Sequence, residues 1–208
     1  MPNKIDFKKE LNELYAPSSK EISVVKVPKL NFLSIDGKGD PNTSEDYKEA
    51  IEALFSVAFK IKFTAKKELD KDYAVMPLEG LWWTENMSKF SINDKSSWLW
   101  KALIMQPDFI TQKIYQKAAN EVKAKKNLPG LGKIKLETLD EGLSAQILYI
   151  GPFSGEKQTI QRIHDFIQEQ AGSLTQKHHE IYLSDPRKTA PEKLKTIIRQ
   201  PFKKQLNQ

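Results

Sequence analysis

"GLSAQILYIGPFSGEKQTIQRIHDFIQEQAG", Gly142 to Gly172, contains the unit from which the fold is read. Its first ten residues, Gly142 to Gly151, have the apolar and aromatic density of a strand. "GPFSG" is a strand-to-helix turn, and Ser154 is read as the residue that caps the helix. Ile160, Ile163, Phe166 and Ile167 recur at helical spacing, which predicts a helix from about Gly155 to Gln170, stopped by Gly172. "KIKLETL" just upstream reads as a strand paired with Gly142–Gly151. Downstream, "HHEIYLSD" and "KTIIRQP" read as two more strands, separated by the turn "DPRKTAPEKL".

The same order of elements occurs earlier in the chain. "ISVVKV" and "LNFLSIDG" are extended, with Pro28 between them and Gly37 and Gly39 breaking the second. "TSEDYKEAIEALFSVAFKIKF" has a cap at Thr43 or Ser44, acids in its first turn and an apolar stripe of Tyr47, Ile51, Leu54, Phe55 and Ala58. "TAKKELDKD" is expected to be a polar connection. "YAVMPLEGLWW" (Tyr73–Trp83) and "SSWLWKALIMQP" (Ser96–Pro107) are expected strands, the first kinked at Pro77. Both halves therefore read strand-helix-strand-strand, and both close in Gln-Pro. The expected fold class is α+β: tandem strand-helix-strand-strand repeats with pseudo-twofold symmetry around a central ligand cleft. The whole chain, 1–208, is expected to be a single domain. Its first repeat spans about 22–107, a connecting helix about 108–126 and its second repeat about 133–202. A further helical spacing, Phe7, Leu11 and Leu14, lies ahead of the first repeat.

Composition narrows the functions available. At 208 residues with 39% hydrophobic and 29% charged side chains, the chain can bury a sizeable core. It contains no cysteine, so disulfides, thiolate zinc sites and thiol nucleophiles are excluded. Apolar runs are too short to cross a bilayer, and "MPNKIDFKKELNELY" lacks the apolar core of a signal peptide; a cytoplasmic protein is expected. The net charge of +6 comes from lysines scattered among acids, which suits solubility better than nucleic-acid binding.

Two carboxylates stand in unusual company. Glu79 lies between Leu78 and Gly80, just ahead of Trp82 and Trp83. Glu180 lies in "HHEIYLSD", where alternation puts His178, Glu180, Tyr182 and Ser184 on one face and His179, Ile181, Leu183 and Asp185 on the other. Ile181 and Leu183 are expected to pack under the helix Gly155–Gln170, which would turn Glu180 and Tyr182 away from that helix. All four tryptophans, Trp82, Trp83, Trp98 and Trp100, fall on two consecutive strands. An indole-walled cleft with acidic groups suits large, flat, cationic ligands through stacking and cation–π attraction. In such a cleft a carboxylate acts either as a counter-charge or, desolvated, as a general acid or base, with Tyr182 as a hydrogen-bond donor to an oxyanion. The candidate site is Glu180 and Tyr182 for catalysis, with Glu79, Trp82, Trp83, Trp98, Trp100 and Tyr149 for ligand binding. One of Trp82 and Trp83 must face the cleft and the other the core. His178 and His179 diverge on a strand and do not make a metal pair.

The segments "FLSIDGKGDPN", "VMPLEGLWW" and "HEIYLSDPRKTAPEKLKTIIRQP" resemble a stand-alone subgroup of the GyrI-like small-molecule-binding family. The resemblance runs from about Val24 to Phe202, and its relatives include ligand-binding domains of multidrug-sensing regulators. It implies two units around a pseudo-twofold axis and a ligand cleft between them, with Glu180 as the buried acid that meets lipophilic cations. It also implies detoxification, by hydrolysis of cyclopropane-bearing electrophiles without metal or cofactor. The alternatives it implies are non-catalytic sequestration of such ligands and a gyrase-inhibitor-like protein-interaction module. Glu79 is then expected to be a companion of Glu180 across the cleft. The chain length leaves no room for a helix-turn-helix, as expected of a free-standing binder or enzyme.

Overall fold

The computed structural model describes residues 4–85 and 95–204; residues 86–94, within the first expected repeat, lie outside them. The elements in order are α1 (Phe7–Glu10), α2 (Asn12–Tyr15), β1 (Ser23–Val27), β2 (Leu30–Lys38), α3 (Glu45–Glu68), β3 (Leu78–Trp83), β4 (Leu99–Gln106), α4 (Gln112–Lys123), β5 (Lys135–Leu139), β6 (Gly142–Ile150), α5 (Lys157–Glu169), β7 (Gly172–Leu174), β8 (His178–Tyr182) and β9 (Lys195–Lys204). This is an α+β protein built on an antiparallel nine-stranded sheet. No helix among the described residues is long and apolar enough to cross a membrane.

The strand order is β1-β6-β9-β8-β3-β4-β2-β5, with β7 added to β9. β5 and β6 are consecutive but not partners: β5 pairs with β2 at one end of the sheet and β6 pairs with β1 and β9 at the other. The expected hairpin of "KIKLETL" with Gly142–Gly151 is thereby corrected. Gly142, at φ +65°, turns the chain away between them. At the middle of the sheet β3 lies beside β8, with Gly80 opposite Glu180 and Trp82 opposite His178.

Both long helices lie on one face of this sheet. α3 covers β2 and β4, while α5 covers β6 and β9. Ser44 caps α3, its hydroxyl accepting from the Tyr47 amide at 3.2 Å. α3 continues through Glu68, beyond the polar connection expected at Thr64, because Thr64 and Ala65 remain buried and supply another turn of contact. α5 buries Ile163 and Ile167 against Ile147, Ile198 and Phe202. Ser154 does not cap it: Phe153–Gly155 form a short 3-10 turn and Glu156 is the residue that enters the helix. Tyr73 to Pro77 are outside β3 and only Tyr73 makes a bridge, to Ile5. Pro77 has no amide hydrogen to give a ladder, which accounts for the strand beginning at Leu78.

The arrangement leaves the helix-side surface of the two central strands, β3 and β8, roofed by neither long helix. The opposite surface of the sheet is closed by the short α1–α2 segment, through Leu14 and Tyr15.

Candidate functional site

The uncovered central strands form the floor of a cavity of about 1280 Å³. Its walls come from Ile51 and Phe55 of α3, from Glu156 just ahead of α5 and from Ile160 within it. Its volume exceeds the range typical for drug-sized ligands, so it has room for a bulky one. Trp82, Trp98, His178, Glu180 and Tyr182 all line it.

Glu180 is held between two donors. Tyr182 donates its hydroxyl hydrogen to Glu180 Oε2 at 2.7 Å, and His178 Nε2 lies 3.1 Å from Oε1. Tyr182 in turn accepts from Trp82 Nε1 at 3.0 Å. The i, i+2 spacing on β8 places His178, Glu180 and Tyr182 on one face, and register with β3 brings Trp82 to them. Burial, followed by the charge of Glu180, raises the Tyr182 phenol well above its ordinary range, so this hydroxyl keeps its proton.

Aromatic rings pack around this chain of bonds. Trp82 and Trp98 have centroids 5.5 Å apart, Tyr47 lies 5.8 Å from Trp82, and Phe153 meets Tyr182 edge-on at 5.7 Å. Gly80 explains part of the unusual "PLEGLWW" stretch. A Cβ at position 80 would come within 2.8 Å of Trp82 Nε1, so only glycine lets the indole fold back beside Glu180.

The sequence-predicted residues divide between the two faces. Glu180, Tyr182, Trp82 and Trp98 line the cavity. Trp100 is buried behind its wall, edge-on to Tyr47 at 4.9 Å and seated on Gly37. Trp83 points to the other face of the sheet, where the Lys177 amine sits 3.2 Å from its ring centroid. Tyr149 lies outside the cavity lining, its hydroxyl donating to the Pro152 carbonyl at 3.0 Å. Glu79 is not across the cleft from Glu180. Since Gly80 is the residue opposite Glu180, Glu79, one step along β3, must project through the other face. The expected orientation of β8 is reversed for the same reason. Glu180 is opposite Ile198, which packs under α5, while Ile181 joins the core that includes Leu14 and Tyr15.

On that other face Glu79 belongs to a buried charge cluster. Its Oε1 accepts from Tyr15 at 2.8 Å, and its Oε2 makes an ion-pair contact with His179 Nε2 at 2.9 Å. His179 Nδ1 meets Glu141 Oε1 at 2.9 Å, and Arg199 Nη1 donates to Glu141 Oε2 at 3.1 Å. Arg199 also donates to the Leu14 carbonyl at 2.8 Å, tying α2 to the sheet. Burial opposes charge on His179, but Glu141 and Glu79 outweigh it and raise the imidazole to about 9. Burial likewise opposes charge on Glu141, but His179 and Arg199 hold that carboxyl down at about 2. Two carboxylates, an imidazolium and a guanidinium make this cluster internally neutral, a structural fastening rather than a ligand site.

Glu156 escaped the sequence reading. It is 4% exposed, lines the cavity, and its Oε1 has no hydrogen-bond partner among the described residues. Burial first and the charge of Glu180 second raise its carboxyl to about 9, against the pull of Thr196 and Lys95. In sequence an acid at the start of a helix is ordinary, and only its inward direction marks it. Among the described residues no group of His, Asp or Glu side chains is arranged to hold a metal.

Comparisons with known proteins place the family and the fold. The profile of the GyrI-like small molecule binding domain matches residues 20–203. A conserved, uncharacterised protein from Listeria innocua is 41% identical, with a TM-score of 0.89 over 96% of this chain and 100% of that one. A hydrolase from the same organism is 40% identical, with a TM-score of 0.86 over 97% and 100% of the two chains. Another Listeria innocua hydrolase is 38% identical, with a TM-score of 0.83 over 96% and 100%. No curated protein matches the chain significantly.

Proposed function

The chain belongs to the GyrI-like small-molecule-binding family, and from that premise we propose that its cavity takes up bulky, flat, lipophilic molecules and hydrolyses strained electrophilic ones, as a means of detoxification. The observation that carries the reading is Glu180: a carboxylate on the cavity floor, oriented by His178 and Tyr182 and walled by indoles. Its two oxygens each accept one such contact and retain lone pairs for a water or a cation. The aromatic lining, with Phe55, Phe59 and Phe153 beside the largely buried Trp82 and Trp98, supplies apolar contact for a flat ligand. Similarity to two Listeria innocua hydrolases supports turnover over binding alone.

In the proposed reaction a cyclopropane conjugated to a carbonyl enters the cavity and stacks on the indoles. Glu180 removes a proton from a water as that water attacks the ring carbon. The ring bond breaks and its electron pair moves to the conjugated oxygen. Desolvation by the ligand strengthens the charge interactions at the floor. In the non-catalytic alternative, Glu180 serves only as the counter-charge of a lipophilic cation.

The test joins tryptophan quenching by a rhodamine dye to mass analysis of a cyclohexadienone bearing a spiro-cyclopropane. Addition of one water to the dienone, lost in Glu180→Gln, supports hydrolysis. Dye binding that Glu180→Gln weakens, with the dienone never consumed, leaves sequestration as the function.

A further inference from the structure

Opening a ring with water makes two proton demands, and Glu180 meets only one. It takes the proton of the water; the oxygen that receives the electron pair needs a proton from elsewhere. Tyr182 is poorly placed for this second task, because its single hydroxyl hydrogen already points to Glu180 Oε2 at 2.7 Å. Tyr47 and Tyr182 are also weak acids in this setting, since burial and then the charge of Glu180 raise both phenols above their ordinary range.

We propose that Glu156 is the general acid of this site: a buried carboxylic acid that delivers its proton to the oxygen on which charge develops, while Glu180 acts as the anionic base. This rests on the hydrolytic reading and assigns its missing half. The geometry is that of two carboxyl groups lining one cavity from different elements, Glu180 from β8 and Glu156 from the entry to α5. Glu180 has both oxygens engaged, by Tyr182 and by His178. Glu156 has an oxygen buried with no hydrogen-bond partner among the described residues. Two nearby carboxyls in unequal surroundings separate into an acid and a base.

The groups facing Glu156 support the same division. Glu180 and Tyr182 on β8 favour a neutral neighbour, and His178 is turned to Glu180. Tyr149 on β6 lies close enough to sense its charge. Lys95, ahead of β4, favours the ionised form, as does the contact with Thr196 on β9, but burial outweighs both. Tyr47 and Lys157 border the same cavity.

The step balances. A C–O bond forms from water to the cyclopropane carbon as the ring C–C bond breaks. The electron pair of that bond aromatises the dienone ring and becomes a phenolic oxygen, which takes the Glu156 proton. Glu180 receives the proton lost by water. The pair then holds one proton and one negative charge, as before, and transfer of that proton from Glu180 to Glu156 restores the site.

The experiment measures two things on wild type, Glu156→Gln and Glu180→Gln: hydrolysis of the spiro-cyclopropyl dienone against pH, and the infrared carbonyl stretch of a protonated carboxylic acid at pH 7. In wild type the acid band is expected, together with a rate that falls as pH rises through about 9. Glu156→Gln should remove the band and the alkaline fall, and lower kcat by about 10²–10⁴-fold with rhodamine affinity changed by less than about threefold. Glu180→Gln should stop turnover as well and keep the acid band, since burial is the first cause that raises the Glu156 carboxyl; loss of the band in this variant would overturn the assignment to Glu156. Turnover by wild type without an acid band, or a Glu156→Gln enzyme with its rate and alkaline limb intact, overturns this proposal alone. An acid band with no turnover by wild type overturns the hydrolytic reading and the catalytic role together.

Discussion

His178 and His179 are adjacent on β8 and serve different carboxylates on opposite faces of one sheet. His178 meets Glu180 at 3.1 Å on the cavity floor, while His179 meets Glu79 and Glu141, each at 2.9 Å, beneath α2. The two-residue period of a strand converts one step along the chain into a change of compartment. Substitutions at these neighbours should therefore have separable effects.

His179→Ala should unfold the protein at lower urea. It leaves Glu79 and Glu141 facing each other without the intervening cation, and breaking a buried charge cluster costs about 3–5 kcal/mol. His178→Ala should cost far less stability, because His178 sits at the cavity floor, yet should weaken rhodamine binding and dienone hydrolysis. Urea midpoints and dye titrations on the two variants check the contrast, and equal losses of stability would contradict it.

Stability should be greatest near pH 4.5 and fall on either side. The His179 imidazole is raised in the folded state, so its contribution is fully present below its ordinary value of 6.5 and is lost as pH rises through about 9. The Glu141 carboxyl is lowered in the folded state, so its contribution is present above 4.5 and is lost as pH falls toward about 2. The His179–Glu141 contact is common to both shifts, so together they represent a few kcal/mol, roughly 3, rather than two independent sums. Glu156, raised to about 9, adds to the alkaline loss, since the folded state binds a proton there that the unfolded chain gives up above 4.5. Glu156→Gln should flatten the alkaline side of a melting-temperature profile and leave the acid side, set by Glu141, unchanged.

Trp82→Phe should reduce ligand-induced quenching, leaving the part due to Trp98, and Trp83→Phe should leave it unchanged. Trp82 lines the cavity, whereas Trp83 faces the other side of the sheet under the Lys177 amine. Steady-state fluorescence titration with the same rhodamine dye separates them; equal losses would place both indoles at the ligand.

Gly80→Ala should impair binding more than folding. The added methyl meets the Trp82 indole at 2.8 Å and pushes it away from Tyr182, to which it donates at 3.0 Å. A stability loss of about 1–3 kcal/mol is expected from the overpacking, with a larger proportional loss of hydrolysis as Tyr182 and Glu180 shift. Gly37→Ala should destabilise at least as much without the same selectivity for activity, since its methyl would enter the buried Trp100 ring, behind the cavity wall.

Much of the architecture was legible in local patterns. Ser44 and the acids after it announce α3, and Ile163 and Ile167 announce the buried side of α5. Alternation in "HHEIY" correctly put His178, Glu180 and Tyr182 on one face. These features depend on neighbours within a few residues, where backbone periodicity alone sets which side chains meet.

Which face became the cavity was not legible, because it depends on pairings between distant strands. Gly80 stands opposite Glu180, a separation of 100 positions in the chain, and that register sends Glu79 to the far side and Trp82 to the near one. Burial and the nearby Glu180 raise the Glu156 carboxyl only because α5 begins at the cavity wall, away from water. Local composition can specify that a strand alternates and a helix starts. The partner across the sheet, and the dielectric around each carboxyl, come from packing between segments far apart in the chain.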